Sequence, residues 1–271
     1  MGSDAPSEGG RYRAQLFGPF RILRNNQPLG SAGAPGLTAA RTLLKWFLLH
    51  PGAPWSSAQL TALGAVGGSP APRLHRTLHY LRDYLEPDRG RRDSSFIRRQ
   101  PGGYLFDPAG RWAVDVWEVR ALVEAADQAQ DRGDAEGAIT VLKELKRLGG
   151  QTFLPEDLYD PTFAEVRTAL EATDQEAQRR LLRLYLDTDR LSLALAHGLE
   201  LQGADPYDEQ IVRGVALAHA RGGNRLAGLR VLIAFRERLA AELGVAPAAE
   251  LLALEARLRQ RSGASARSAR T

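Results

Sequence analysis

Basic and imidazole side chains are concentrated in one short segment near residue 80. They are Arg73, His75, Arg76, His79 and Arg82. The planar guanidinium of arginine can bind phosphate oxygens and the guanine edge. An imidazole can form a hydrogen bond with a base or ligate a metal. His75 and His79 have the i, i+4 spacing of a helical metal pair, but no glutamate follows His75. The segment therefore favours a surface or nucleic-acid contact over a metal site.

Catalytic chemistry has no comparable support in the sequence. The chain has no cysteine, which excludes thiolate nucleophiles, thiolate metal sites and disulfides. The glycine pairs Gly149-Gly150 and Gly222-Gly223 lack the spacing of a phosphate-binding loop and are typical of helix stops. We expect no enzyme activity, no cofactor and no metal.

A helix must carry the basic segment. Leu74, Leu78, Leu81 and Leu85 recur at i, i+4, i+7 and i+11, which predicts one buried stripe. At about 100° per residue, the opposite side carries the side chains available to a ligand. These are Pro72, Arg76, His79, Tyr80 and Asp83, with Arg73, His75 and Arg82 on the flanks. For this helix alone, a solvated surface and a DNA-contacting surface are equally good interpretations.

The charge distribution favours a polyanion as partner for the first half of the chain. Residues 1–112 contain 15 basic and 7 acidic residues, a net charge of +8, whereas residues 113–271 carry −4. Residues 1–10 lack the apolar core of a signal peptide, and no apolar run approaches the roughly 18–20 residues of a membrane span. We expect a cytoplasmic protein that does not enter a membrane.

The elements around the predicted helix follow a recognisable order. We predict short strands at 12–17 and 20–24, a helix at 39–49 capped by Thr38, a brief helix from Ser56 or Ser57 to Leu63, the long helix, and a hairpin of 96–99 and 104–106. Gln100-Pro101-Gly102-Gly103 forms the hairpin turn. This order is that of a winged helix-turn-helix.

Residues 11–112 resemble the winged helix of OmpR-type regulators. The resemblance rests on His50-Pro51-Gly52, on Leu78-x-x-Leu81-Arg82-x-x-Leu85, and on Ile97-Arg98-Arg99-x-x-Gly102-Gly103-Tyr104-Leu105. It implies that the long helix enters the major groove of double-stranded DNA and that the hairpin is the wing. The implied DNA-binding residues are Arg73, His75, Arg76, Thr77, His79, Tyr80 and Arg82 of the helix, and Arg98, Arg99, Gly102 and Gly103 of the wing.

The second half is predicted to be helical throughout. Helices are indicated at about 116–132, 135–148, 162–187, 191–203, 207–221, 225–243 and 248–260. The segments starting at Arg190 and Arg225 are similar and lie 35 residues apart, close to the roughly 34-residue tetratricopeptide period. This spacing predicts a tetratricopeptide-like helical domain.

This helical half resembles the bacterial transcriptional activation domain. The matching segments are Phe153-Leu154-Pro155, Asp160-Pro161-x-Phe163, Asp205-Pro206-x-Asp208-Glu209 and Leu239-x-x-Glu242-Leu243-Gly244-Val245-x-Pro247-x-x-Glu250-Leu251. A winged helix followed by this domain is similar to the Streptomyces antibiotic regulatory protein family. The resemblance implies a transcriptional activator that binds promoter direct repeats, self-associates on DNA and helps to recruit RNA polymerase.

The expected fold is mainly α with a small β part, in four segments. These are a disordered tail (1–10), a winged helix-turn-helix domain (11–112), a tetratricopeptide-like domain (113–260) and a second disordered tail (261–271). The alternative is a helical-repeat adaptor whose winged helix no longer binds DNA. Tyr80 and Asp83 keep that alternative open, because the family often has basic residues there and a carboxylate opposes phosphate.

Overall fold

The computed structural model describes residues 11–29, 37–63, 71–90 and 93–268. The chain is mainly helical with a small β part, as predicted. It divides into two compact units. One comprises the chain up to Ala121 together with Leu148–Thr168, and the other comprises Leu122–Arg147 and the chain from Ala169 onward. The tail predicted at 1–10 lies outside the described residues.

The first unit contains all the strands described in the structure. They are β1 (Tyr12–Gln15), β2 (Arg21–Arg24), β3 (Gln27–Pro28), β4 (Ile97–Gln100), β5 (Gly103–Phe106) and β6 (Trp112–Val114). The sheet order is β3-β2-β1-β6, and β4 pairs with β5 as an antiparallel hairpin. Strand β6, which runs parallel to β1, is not predicted from the sequence. It places Trp112 in a stack with Tyr12, with ring centroids 4.7 Å apart.

Three helices pack with these strands: α1 (Leu37–Leu49), α2 (Ser57–Leu63) and α3 (Ala71–Leu85). The predicted cap at Thr38 is wrong, because α1 already begins at Leu37 and the Thr38 carbonyl accepts a hydrogen bond from Thr42. For α2 the cap is Ser56, whose hydroxyl accepts from the Gln59 amide while Gln59 bonds back to the Ser56 amide. This reciprocal pair is a capping box.

A later stretch of chain completes the sheet of the first unit. The Leu154 amide donates to the Leu16 carbonyl at 2.9 Å, and Phe17 forms a bridge with Phe153. Asp115 accepts from the amides of Leu16 and Phe17 at 2.7 and 2.8 Å. Burial raises the pKa of Asp115, although these amide bonds act in the opposite direction. The backbone immediately after β1 is therefore bonded to Asp115 and to the Phe153–Leu154 segment, both far along the chain.

A buried ion pair also joins α1 to the segment that follows Leu154. The Lys45 ammonium is 4% exposed; it contacts the Asp157 carboxylate and lies 3.5 Å from Glu156. Glu156 also accepts from the Phe20 amide at 3.0 Å. Segment 148–168 is thus an integral part of the first unit, and the unit bounds differ from the contiguous 11–112 and 113–260 of the sequence-based division, which stays a prediction.

The remaining helices are α4 (Asp115–Asp131), α5 (Ala135–Gly149), α6 (Ala164–Asp187), α7 (Leu191–Ala204), α8 (Glu209–Arg221), α9 (Arg225–Arg238) and α10 (Ala249–Ser268). Their bounds follow the predicted helices closely, except that a π turn at Leu239–Leu243 follows α9. Helix α10 continues through Ser268, past the start of the tail predicted to be disordered at 261–271. Side chains from Arg261 onward lie outside the described residues.

One turn geometry recurs in the second unit. The amides of Asp134, Arg190 and Asn224 each donate to the carbonyl five residues earlier, at 2.9, 2.8 and 2.9 Å. Each of these turns directly precedes a new helix, namely α5, α7 and α9. Helices α8 and α9 approach so closely that a Cβ on Gly228 would lie 2.6 Å from the Ala216 carbonyl oxygen. The repeated turns and close helix pairs give the tetratricopeptide-like arrangement.

Candidate nucleic-acid interface

Helix α3 separates an apolar side from a polar side as predicted. Leu74, Leu78, Leu81 and Leu85 are all buried, with exposures of 6% or less. On the other side the helix exposes His75, Arg76, His79 and Tyr80, while Thr77 is half-buried. The side chain of Arg73 lies outside the described residues. The four exposed side chains are therefore available to a ligand.

The β4–β5 hairpin has the predicted turn. Pro101 and Gly102 are its two central residues, and Gly102 has a φ of +91°, a conformation that glycine adopts without strain. Arg98 and Arg99 are exposed on β4. The Arg98 guanidinium lies 3.0 Å from the Asp107 carboxylate, which fixes the side chain along the hairpin.

An isolated antiparallel bridge between Trp55 and Tyr104 supports the hairpin. Trp55 and Tyr104 exchange two backbone hydrogen bonds of 2.8 and 2.9 Å. Gly103 lies against the Trp55 backbone at a distance that leaves no space for a side chain. Gly102 and Gly103 thus shape the turn and its support, and a contact with DNA would come from their backbones.

Arg82 connects α3 to the hairpin. Its guanidinium donates to the Ile97 carbonyl at 3.0 Å and lies 5.7 Å from the centre of the Tyr104 ring. The helical pattern placed Arg82 on the flank of the polar face among the predicted DNA contacts. In the structure its guanidinium bonds to β4, so Arg82 positions the hairpin relative to α3.

Residues from α3 and the hairpin line one open cleft of about 530 Å³. His75 contributes from the helix, Arg99 from β4 and Ser57 from the start of α2. The Tyr104 hydroxyl lies 3.3 Å from His75 Nδ1 and connects the two elements across the cleft. Of the residues predicted to contact DNA, the cleft brings together His75 of α3 and Arg99, Gly102 and Gly103 of the hairpin.

The polar face of α3 also contains an acidic residue in a defined pair. His79 Nδ1 lies 2.8 Å from Asp83 Oδ2, one helical turn away. Both side chains are at least half exposed, at 67% and 50%. The pairing of these two residues follows from their i, i+4 spacing on the helix.

Neither a metal-binding cluster nor a membrane-spanning helix occurs among the described residues. Within those residues, no three histidine, aspartate or glutamate side chains group closely enough to hold a metal ion. In the same part of the chain, no helix has the length and apolar character needed to cross a membrane.

Comparison with known proteins identifies the second half of the chain. Residues 114–259 match the family described as bacterial transcriptional activator domain, which is more than half of the chain. The chain belongs to this family. The predicted resemblance to Streptomyces antibiotic regulatory proteins is thereby confirmed through the activator domain. The similarity of residues 11–112 to OmpR-type winged helices stays a prediction.

Two curated relatives carry the same name, Regulatory protein AfsR. The chain is 28% identical over 265 residues to the protein from Streptomyces coelicolor and 27% identical over 253 residues to that from Streptomyces griseus. Each alignment covers 93% of this chain and 25% of the relative, so the chain spans about a quarter of their length. These similarities relate the chain, including its first half, to proteins named as regulatory proteins.

A solved structure shows the same fold. Mycobacterium tuberculosis EmbR, in complex with a low affinity phosphopeptide, superposes with a TM-score of 0.78 and 22% sequence identity. The match covers 93% of this chain and 66% of EmbR. It extends well beyond the activator domain family match, so the arrangement of elements before residue 114 also has a counterpart in a known structure.

Proposed function

We propose that the chain is a transcriptional activator that binds double-stranded DNA through α3 and the β4–β5 hairpin. One observation carries the proposal: His75 of α3 and Arg99 of the hairpin line the same cleft, and the polar face of α3 is exposed. A major groove is wide enough for a helix, and arginine and imidazole groups are suited to its base edges and to phosphates. The excess of positive charge in residues 1–112 supports the same partner.

Separate roles are proposed for the two elements. Arg76, His79 and Tyr80 are exposed on the α3 face and are assigned to base edges. His75, which lines the cleft, is assigned to the neighbouring phosphates. The half-buried Thr77 and Arg73, in the first turn of α3, are assigned to them as well. Arg98 and Arg99 are assigned to the backbone beside the wing, with Gly102 and Gly103 shaping its tip. Arg82 keeps the helix and the wing in register.

A binding titration at several salt concentrations tests this proposal. If phosphate contacts dominate, log affinity falls linearly with log salt by about 0.9 per phosphate neutralised. A duplex pool with a randomised centre serves as the probe, because the operator sequence is unknown. An affinity that does not change with salt would refute DNA binding by this surface.

The activator domain supports a further part of the proposal. By family membership, we assign this chain the recruitment of RNA polymerase, binding to promoter direct repeats as adjacent protomers, a cytoplasmic location and no enzyme activity. Mass measurement of the complex on one and two copies of the selected site tests the self-association. Binding of a single protomer to duplicated sites would contradict it.

A second candidate is a protein-interaction adaptor whose winged helix no longer binds DNA. Two residues on the α3 face favour it: Tyr80 is 43% exposed, and Asp83 presents a carboxylate where DNA presents phosphates. A gel shift with fragmented genomic DNA discriminates between the candidates. Retarded complexes favour the activator, and the absence of any complex at low salt favours the adaptor.

A further inference from the structure

Helix α10 of the second unit has one buried side and one exposed, largely apolar side. The buried side consists of leucines with exposures of 6% or less, namely Leu251, Leu254 and Leu258. At about 100° per residue, the direction opposite these leucines belongs to exposed alanines, namely Ala249, Ala253 and Ala256. Leu252 lies on one flank of the alanines and is 39% exposed. A helix of a soluble protein more often carries charged residues along such a side.

The apolar surface continues from α10 into the turn before it. Leu252 and Val245 line an open cleft of about 420 Å³, together with Arg236 and Glu237 of α9, which carry opposite charges. Val245 is 51% exposed, and Leu243 in the same turn is 55% exposed. Three large apolar side chains exposed within ten residues of one another form a patch, and such patches mark interaction surfaces.

The start of α10 is acidic on the flank opposite Leu252. Glu250 is the second residue of the helix and is exposed on this flank. Glu209 of α8 accepts a hydrogen bond from the Ala248 amide at 3.0 Å, which adds a second carboxylate at the same end. Arg257 lies on the same flank as Glu250, seven residues or two turns later, and is also exposed.

The second half of α10 is basic. The guanidiniums of Arg236 and Arg259 lie 2.9 and 2.6 Å from the one carboxylate of Glu255, so one positive charge remains in excess beside Arg257. An antiparallel copy of α10 is complementary to this order of charges. Two-fold symmetry places Glu250 of each copy beside Arg257 of the other, whereas a parallel copy would place like charges opposite each other.

The same symmetry matches the apolar groups. The midpoint between Glu250 and Arg257 falls beside Ala253, so the alanines of the two copies face each other at the centre and allow close approach of the helices. A two-fold axis brings equal flanks together, which places Leu252 of one copy against Leu252 of the other. One register thus pairs both the charges and the apolar side chains.

We infer that this chain forms a homodimer in which α10 packs antiparallel against α10 of a second copy, centred at Ala253. The dimer forms without DNA. Neither α3 nor the β4–β5 hairpin takes part in it, so the inference goes beyond the proposed DNA binding and does not depend on it. A contact made by one helix and one turn from each copy is at the low end of interface sizes, so the dimer dissociates on dilution.

Sedimentation equilibrium of the full chain without DNA tests the dimer and its register. The mass of the wild type should rise with concentration from that of one copy to that of two. Glu250→Arg and Arg257→Glu should each weaken self-association by roughly tenfold, because two ion pairs per dimer become like-charge contacts. The double variant should associate like the wild type, since both pairs are restored. Glu165→Arg, at the exposed second residue of α6 in the first unit, is the matched control and should change nothing.

A thiol placed on α10 gives an independent readout, because the chain has no cysteine. In the antiparallel register, Ala253→Cys brings the two thiols together, and air oxidation should link the copies by a disulfide. Gln260→Cys, also exposed, should not link them, because antiparallel copies of this position lie roughly 20 Å apart along the helix axis. A parallel pair would be linked at both positions.

Leu252→Asn tests the apolar contact without a change in charge and should also weaken self-association. Leu226→Asn in α9, where the leucine is 57% exposed, is its control. A wild type that stays monomeric at all concentrations would overturn the inference. A dimer that neither charge reversal weakens, a double variant that does not recover, or equal linking at 253 and 260 would also overturn it. Dimerisation by a chain that fails to bind DNA would leave this inference standing and refute the proposed function alone.

Discussion

A Cβ on Gly103 would lie 2.6 Å from the carbonyl carbon of Trp55. The two backbones are this close because Trp55 and Tyr104 exchange two hydrogen bonds. Gly103→Ala should push the hairpin away from Trp55 and lower the free energy of unfolding by about 1–3 kcal/mol. Urea unfolding followed by tryptophan fluorescence measures the change, since all four tryptophans precede Ala121 in the first unit.

Gly102→Ala is the matched control for this substitution. A Cβ on Gly102 would have no neighbour within 4 Å, but its φ of +91° is unfavourable for alanine. The expected cost is backbone strain alone, about 1 kcal/mol. A larger loss for Gly102→Ala than for Gly103→Ala would contradict the close-approach explanation.

The ion pair of Lys45 and Asp157 gives a second prediction. Among the described residues, Asp157→Asn leaves the buried ammonium with Glu156, at 3.5 Å, as its remaining charged partner. Since an isolated buried charge costs about 3–5 kcal/mol, we expect a loss at the lower end of that range, measured by the same fluorescence unfolding. Glu165→Gln, at an exposed carboxylate of α6, is the control and should have little effect.

A fragment of residues 11–112 tests whether the later residues of the first unit stabilise its earlier part. It lacks Asp115, the Phe153–Leu154 pairing and Asp157, all of which stabilise the first unit. We expect it to unfold at lower urea concentration than the full chain. Equal stability of the fragment and the full chain would show that these later residues are dispensable for the winged-helix part.

His197 gives a prediction of pH dependence. It is 6% exposed, its Nε2 lies 3.1 Å from the Gln178 carbonyl, and its Nδ1 lies 3.4 Å from the Lys146 ammonium. Burial is the main cause that lowers the pKa of His197 below its ordinary value, and Lys146 lowers it further, while the Gln178 bond and Glu200 act against them. The folded protein therefore keeps this imidazole neutral where the unfolded chain protonates it.

Protonation of His197 at low pH should therefore destabilise the folded state. The stability contribution of a neutral His197 is fully present above the unfolded value, near about pH 6.5, and is lost as the pH falls below it. Urea unfolding followed by circular dichroism should thus show a decreasing unfolding free energy between about pH 7 and about pH 5. The pKa of Asp174 is raised, mainly by burial, which acts in the opposite direction. The decrease should therefore be assigned by its difference from His197→Gln, and equal slopes in both proteins would refute the assignment.

Local features of the site could be predicted from the sequence because they depend on spacing along one element. The leucine stripe of α3 is buried in full, and Pro101-Gly102 forms the turn that its residue types favour. The contact between His79 and Asp83 could be predicted in the same way, because residues at i and i+4 are neighbours on a helix. Periodicity and turn chemistry act over a few residues, and a single sequence displays them directly.

Contacts between distant segments could not be predicted in this way. The Leu16 carbonyl accepts from Leu154, and Asp115 accepts from Leu16, but neither pairing leaves a periodic trace in the sequence. Arg82 illustrates the same limit within the site. A helical wheel gives the direction of its Cβ, whereas the long side chain ends at the Ile97 carbonyl on another element. Such contacts explain why the first unit contains two separate stretches of the chain.

Arg76 on α3 and Arg98 on the hairpin should contribute differently to DNA binding. Arg76 is exposed on the α3 face, and Arg98 is exposed on β4, where Asp107 holds its guanidinium at 3.0 Å. Arg76→Ala should reduce discrimination at one base pair by about 1–3 kcal/mol, because a side chain that contacts a base edge carries sequence information. Arg98→Ala should instead weaken binding to all duplexes alike and reduce the salt slope by about one phosphate.

Affinities of both variants for the selected site and for single-base variants of it, at several salt concentrations, separate these effects. Arg147→Ala in α5, in the second unit, serves as the control for loss of one positive charge. The reverse pattern, in which Arg98→Ala relaxes specificity and Arg76→Ala only changes the salt slope, would require the wing rather than α3 to contact the base edges. Because the hairpin is joined to α3 through Arg82 and Tyr104, each variant should first be shown to retain wild-type unfolding behaviour.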